Sequence, residues 1–178
     1  MTEEIIIAGF GGQGVILSGR LLCVAAMKEG KYVSHIPSYG AEMRGGTANC
    51  SVIISDTEIA SPVVEHPTTC IVLNEPSLKK FESKIKPGGT LIYNTSLIKM
   101  KPARTDINII PIKANDIALG KGAIKAVNMA VLGLLLKLKP AISTLLSAKR
   151  ALDVVISERN RKFNPLNFEV MEAGYAMA

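Results

Sequence analysis

The stretch from Ile5 to Gly14, Ile-Ile-Ile-Ala-Gly-Phe-Gly-Gly-Gln-Gly, constrains this chain more than any other. Three β-branched residues in a row favour extended backbone, so they are read as a first buried strand. Gly9, Gly11 and Gly14 then fall on the spacing G-x-G-x-x-G, with Gly12 and Gln13 between them. Such a turn lets the backbone bend sharply and approach a ligand, and the helix that follows aims its first N–H groups at an anion. The same glycines also serve a tight turn with no ligand, where they are needed only for packing.

A dinucleotide site needs an acidic residue about 20 positions past the glycines to hold the ribose. The second strand, Lys31 to Ile36, offers Ser34 and His35 there; Glu29 comes too early and Glu42 lies beyond Pro37. The sequence therefore argues against NAD as the ligand of the turn.

A second glycine-rich segment, Pro37 to Thr47, contains Gly40, Gly45 and Gly46 around Arg44. A forked, permanently charged donor among glycines suits a phosphate or carboxylate. Pairing of Arg44 with Glu42, or with an acid on a partner chain, accounts for it equally well.

The remaining pattern predicts an α/β domain. Ala48–Ser55 and Ile59–Val64 read as two arms of an antiparallel hairpin, and Cys70–Leu73, Thr90–Tyr93 and Ile107–Ile112 as further strands. Helices are expected at Val15–Glu29, from Asn74 or Glu75 onward with Pro76 in the first turn, at about 123–139, at 147–159 and from Asn164. The fold class expected is a three-layer α/β/α, Rossmann-like open sheet, mostly parallel with an antiparallel hairpin, formed by residues 1–178 as one domain. Asn74 and Asn94, at the carboxyl ends of strands, are second-rank ligand candidates. Asn128 and Gly133 inside an apolar helix predict close approach of another backbone. Gly174 predicts a loosely held or partner-docked tail. The first helix is apolar on more than one face, which predicts burial on two sides, inside the domain or against another subunit. With 48% hydrophobic residues, the isolated chain is expected to expose an apolar patch and to form homodimers or larger species.

Composition excludes several functions. The net charge of +6 favours phosphorylated ligands or acidic partners, but the basic residues form no long tract, and with 4% aromatics and no Trp nucleic-acid binding is not expected. Cys23, Cys50 and Cys70 are widely spaced, so no disulfide framework, cluster motif or metal site is expected. No apolar run is long enough to cross a bilayer, and Met1–Glu4 is no signal peptide; a cytoplasmic protein is expected. No acid–base pair or nucleophile set stands out, so no catalytic residue is assigned.

Gly9-Phe10-Gly11-Gly12-Gln13-Gly14, then Tyr39 to Gly46, then Asn128 through Gly133, resemble the gamma subunit of the 2-oxoacid:ferredoxin oxidoreductases, the pyruvate/ketoisovalerate oxidoreductase gamma-domain family. The likeness runs to about residue 135. It implies a subunit of a complex that oxidatively decarboxylates a 2-oxoacid, transfers the acyl group to coenzyme A and reduces ferredoxin. Thiamine diphosphate and iron–sulfur clusters are then held by partner subunits, namely alpha and beta subunits and a ferredoxin-like delta subunit, and this chain alone is inactive. Coenzyme A is placed against its surface, with Gly9, Gly11, Gly12, Gln13, Gly14, Arg44, Gly45 and Gly46 as the residues carried over. The loop from Tyr39 to Thr47 is closer to the 2-oxoglutarate or branched-chain members than to the pyruvate members. Indolepyruvate oxidoreductases carry a related subunit. A stand-alone nucleotide-binding dehydrogenase and a ligand-free assembly subunit are the alternatives.

Overall fold

The computed structural model describes residues 1–39 and 47–177. Among them, six strands form one sheet in the order β2-β3-β1-β4-β5-β6. In chain order these are β1 (Thr2–Phe10), β2 (Tyr32–Tyr39), β3 (Thr47–Ser55), β4 (Thr69–Val72), β5 (Thr90–Asn94) and β6 (Asn108–Ile112). β1, β4, β5 and β6 run parallel, whereas β3 is antiparallel to both β1 and β2. The helices are α1 (Val15–Met27), α2 (Glu75–Phe81), α3 (Ala114–Gly120), α4 (Val127–Leu138), α5 (Leu145–Val155) and α6 (Asn164–Tyr175).

Alternation along β1 divides the core. Ile5 and Ile7 point into a cluster with α1, α3, α4, α5 and α6, while Ile6 and Ala8 point to the opposite face, onto Leu78 and Phe81 of α2 and Ile98. The result is the expected three-layer α/β arrangement, with one outer layer much thicker than the other. α1 is buried on two sides by its own chain, between the sheet and α5, which accounts for its broad apolar surface. On the thinner side the sheet is left open near β2, where Phe10 (38%), Tyr32 (48%) and Ile36 (39%) remain exposed.

Several sequence expectations change. The hairpin is β2–β3, and Ile59–Val64 forms no strand. β3 already has β1 on one side and β2 on the other, so an arm folding back after Asp56 has no edge to join. β2 runs on through Pro37 to Tyr39; as an edge strand it tolerates a residue that lacks an N–H. α1 ends at Met27, two residues early, and Gly30 (φ 78°) turns the chain into β2. Asn74 caps α2, its Oδ1 accepting from Ser77 N at 2.8 Å. The α6 tail is not loosely held. A Cβ at Gly174 would strike the Ala130 carbonyl, and one at Gly133 the Met171 carbonyl, so each glycine lets the other helix's backbone come close.

Candidate functional site

The turn after β1 is closed by Gln13. Its backbone N–H donates to Phe10 O at 3.1 Å, and its Oε1 accepts from Phe10 N at 2.6 Å. Its Nε2 reaches Leu73 O at 3.5 Å, so one side chain ties the turn to the carboxyl end of β4. Gly12 (φ 95°) and Gly14 (φ 75°) take the left-handed backbone that other residues resist.

The glycines divide by duty. A Cβ at Gly9 would meet Gln13 Oε1 at 2.6 Å and Leu73 Cβ at 3.0 Å; one at Gly14 would meet Asn128 Nδ2 at 2.6 Å. Both positions are closed by packing. Gly12 faces open space, with nothing within 4 Å of where a Cβ would stand, and Gly11 is exposed. Gly14 is the N-cap of α1 and brings no side chain to it, and the first turn holds no acid. The unsatisfied N–H groups of a 13-residue helix therefore open beside Gly11 and Gly12.

The turn sits at the topological switch point of the sheet. α1 leaves β1 onto one face and α2 leaves β4 onto the other, which opens a crevice beyond the carboxyl ends of these adjacent strands. Asn74 and Ser77 lie at the β4 side of it. Asn74 Nδ2 and Ser77 Oγ are buried without a hydrogen-bond partner among the described residues, an unspent polar pair next to the turn. The same step shows why a dinucleotide fits poorly. β3 lies between β1 and β2, so the end of β2 is about 9.6 Å from β1 instead of about 4.8 Å, and no acid stands on Ser34 or His35.

Of the other sequence candidates, Asn94 is engaged within the fold: its Oδ1 accepts from Ser96 N and Ala114 N, and its Nδ2 donates to Asn115 Oδ1. Asn128 braces the turn from α4, donating to Gly14 O at 3.4 Å and Ser18 Oγ at 3.2 Å. Ser18, not singled out from the sequence, also donates to Gly14 O at 2.9 Å; a hydroxyl four residues after the N-cap glycine is its signal. Arg44, Gly45 and Gly46 lie outside the described residues. The flanking Thr47 is paired with Phe10 and Tyr39 with Ala48.

Beside the turn a cavity of about 570 Å³ is lined by Leu17, Ile124, Asn128, Met129, Phe163 and Leu166, among others. Under α1, His35 sits against Gly19 with its Nε2 buried and unpartnered; burial, then the nearby Arg20, hold it below its ordinary pKa. Cys23, Cys50 and Cys70 are free and buried, and burial pushes the Cys23 and Cys50 thiols up to about 12. Among the described residues no cluster of His, Cys, Asp and Glu is arranged to hold a metal.

Residues 4–177 match the family model for pyruvate ferredoxin/flavodoxin oxidoreductase. The chain belongs to that family. It is 36% identical over 171 residues to the ketoisovalerate oxidoreductase subunit VorA of Methanothermobacter marburgensis, covering 96% of this chain but 35% of that protein. Thus the chain spans about a third of the length of that relative. Over its whole length it is 33% identical to the 2-oxoglutarate synthase subunit KorC of Methanocaldococcus jannaschii, of which it covers 95%. The solved keto/oxoacid ferredoxin oxidoreductase gamma subunit of Geobacter sulfurreducens superposes with a TM-score of 0.82 at 27% identity, over 98% of this chain and 96% of that one. Family members thus include separate subunits of this size as well as longer chains.

Proposed function

We propose that this chain works as the gamma subunit of a cytoplasmic 2-oxoacid:ferredoxin oxidoreductase. In this reading residues 1–178 act as one domain that packs on thiamine-binding alpha and beta subunits and, with a ferredoxin-like delta subunit, serves the oxidation of a 2-oxoacid to its acyl-CoA. The observation that carries it is the family match over residues 4–177, joined to a fold superposable on a gamma subunit. Relatives named for ketoisovalerate and 2-oxoglutarate favour those substrate classes.

The chain's own contribution in this reading is the switch-point crevice. The open N-terminus of α1 at Gly11–Gly14 suits a phosphate of coenzyme A, and Gln13 holds the turn in register by its bonds to Phe10 and Leu73. Arg44, between strand ends that adjoin the turn, supplies a bidentate cation to the same anion. Gly45 and Gly46, next to Arg44 in the sequence, bring no side chain of their own. Thiamine diphosphate, held on a partner, supplies the acyl carbanion chemistry. The open sheet face at Tyr32 and Ile36 is where another subunit packs.

The test is reconstitution. Co-expressed with its partner subunits, the chain should give a complex that reduces ferredoxin with 2-oxoisovalerate or 2-oxoglutarate and requires coenzyme A. The chain alone should turn over no 2-oxoacid. Full activity of the partners without this chain would refute the proposal.

A further inference from the structure

Charge is distributed very unevenly along this chain. Of 21 Lys and Arg residues, seven lie between positions 79 and 104, namely Lys79, Lys80, Lys84, Lys86, Lys99, Lys101 and Arg104, against one acid, Glu82. The rest of the chain carries fourteen of each sign, so this segment holds the whole net charge of +6. The fold then packs α2 and the 95–107 segment together, through Glu82 on the Ala103 and Arg104 N–H groups and through Ile98 and Met100 in one cluster with Leu78 and Phe81, although the sequence shows these cations only as scattered singles.

Phe81 and Glu82 do the gathering. Lys80 and Lys84 both lie over the Phe81 ring, at 5.2 and 5.7 Å from its centroid. Glu82 is buried and spends its carboxylate on the N–H groups of Ala103 and Arg104, at 2.5 and 2.9 Å, which pins the 95–107 segment against the end of α2. Arg104 Nη1 donates to Ile85 O. His66, Ser83, Lys86 and Arg104 line one shallow depression between the two segments. Local acids engage three of the cations: Lys79 pairs with Glu75, Lys86 with Glu4 and Arg104 with Asp106. Among the described residues, Lys80, Lys84, Lys99 and Lys101 are exposed and have no acid within ion-pair distance.

Four unpaired ammonium groups on one face repel one another and hold a positive field into solvent. Nucleic acid is a poor occupant, since Phe81 is 6% exposed and cannot stack on a base. α2, seven residues long, is too short to lie along a groove. A permanent subunit interface is also a poor fit, because such interfaces have apolar centres depleted of charge. Here the exposed apolar side chain is Leu97 at 45%, in a segment that also carries the exposed Lys99 and Lys101.

We propose that the α2 and 95–107 surface is a transient docking face for a small acidic protein, steered in by Lys80, Lys84, Lys99 and Lys101. The seat is mostly hydrated charge, so association is fast, salt-sensitive and readily reversed. That is what a carrier that must arrive and leave repeatedly requires. The reading of the chain as a gamma subunit enters only in the choice of probe, a ferredoxin, as a small protein rich in Asp and Glu.

The experiment measures ferredoxin binding to the full-length chain at low and moderate salt. Wild type is compared with the quadruple variant Lys80→Glu, Lys84→Glu, Lys99→Glu, Lys101→Glu and with a charge-reversal control at exposed sites elsewhere, Lys28→Glu with Lys121→Glu. The expected result is binding that weakens as salt rises, lost by about tenfold or more in the quadruple variant and unchanged in the control, with circular dichroism alike for all three. No binding by wild type, equal loss in the control, or binding indifferent to salt would overturn the proposal. So would patch-dependent binding of a DNA duplex or of phosphatidylserine vesicles without binding of ferredoxin. Because no other subunit takes part, this outcome is separate from success or failure of the reconstituted turnover.

Discussion

The side-chain amide of Asn128 on α4 donates to the carbonyl of Gly14, the residue that starts α1, across 114 positions of sequence. The thicker helical layer thereby fixes the turn at the carboxyl end of β1. Replacing Gly14 with Ala forces a side chain into φ 75° and onto Asn128 Nδ2, and is expected to cost about 1–3 kcal/mol. Asn128→Ala alone should cost about 1–2 kcal/mol through the lost bonds. In the double variant the clash is gone while the backbone term and the lost Asn128 bonds remain, so its cost should be less than the sum of the two single costs. Denaturant midpoints of the four proteins measure that coupling, and strict additivity would show that Asn128 does not constrain Gly14.

Gly133 and Gly174 form a second close pair, this time between α4 and α6. Gly133→Ala drives a Cβ into the Met171 carbonyl, which side-chain adjustment cannot relieve. A loss of about 3 kcal/mol or more is expected, at the upper end for overpacking. Hydrogen exchange should show α6 losing protection first. A stability within about 0.5 kcal/mol of wild type would mean that the helices separate at no cost.

Arg44 is the residue whose role the assembled complex decides. As a phosphate ligand it contributes a charge-assisted bond of about 1.5–3 kcal/mol, so Arg44→Ala should weaken apparent coenzyme A affinity roughly tenfold or more. Use of the 2-oxoacid and subunit stoichiometry should be unchanged. If it pairs with Glu42 or a partner's acid instead, assembly weakens and the coenzyme A response of the surviving complex stays as it was.

Two windows of pH sensitivity follow from the charged groups. His35 is held below its ordinary value, first by burial and then by Arg20. The unfolded chain takes up its proton first, so stability falls as pH drops below about 6.5 and levels off once folded His35 also protonates. His35→Gln should flatten that step in denaturation midpoints taken between pH 7 and 5. At lower pH the carboxylates dominate. Hydrogen bonds from Lys31 and the amino terminus hold Asp56 at about 2, and Arg104 lowers Asp106. Glu29 loses some of this to burial, but Thr144, Ser147 and Ser143 bring it below its usual range. The stability these groups contribute is present above the ordinary carboxylate pKa and is lost as pH falls through their lowered values.

The dinucleotide reading has its own test. With β3 between β1 and β2 and no acid at Ser34 or His35, a calorimetric titration with NADH or NADPH should show no binding in the micromolar range. Micromolar affinity would restore that reading.

What the sequence alone determined is mostly local. Ile5 to Gly14 specified strand, turn and helix start, because β-branched residues, glycines at positive φ and an open helix end act within a few residues of one another. Asn74 with Pro76 marked the start of α2 for the same reason. Gly133 announced close helix approach without naming its partner. Tertiary structure decided what depends on pairing across long separations. β3 was legible as a strand, but a β-branched run pairs as well with one neighbour as with another, so its insertion between β1 and β2 was not legible, nor was the absence of an edge for Ile59–Val64. The candidate site divides the same way. Gln13 could be read as part of a glycine motif, but its hold on Leu73 O and the bracing of Gly14 by Asn128 exist only once β4 and α4 have been brought to the turn. The lysines from Lys79 to Lys101 become one surface only when Glu82 pins Ala103 and Arg104 beside them, because charges act through space and their spacing in sequence does not determine their distance.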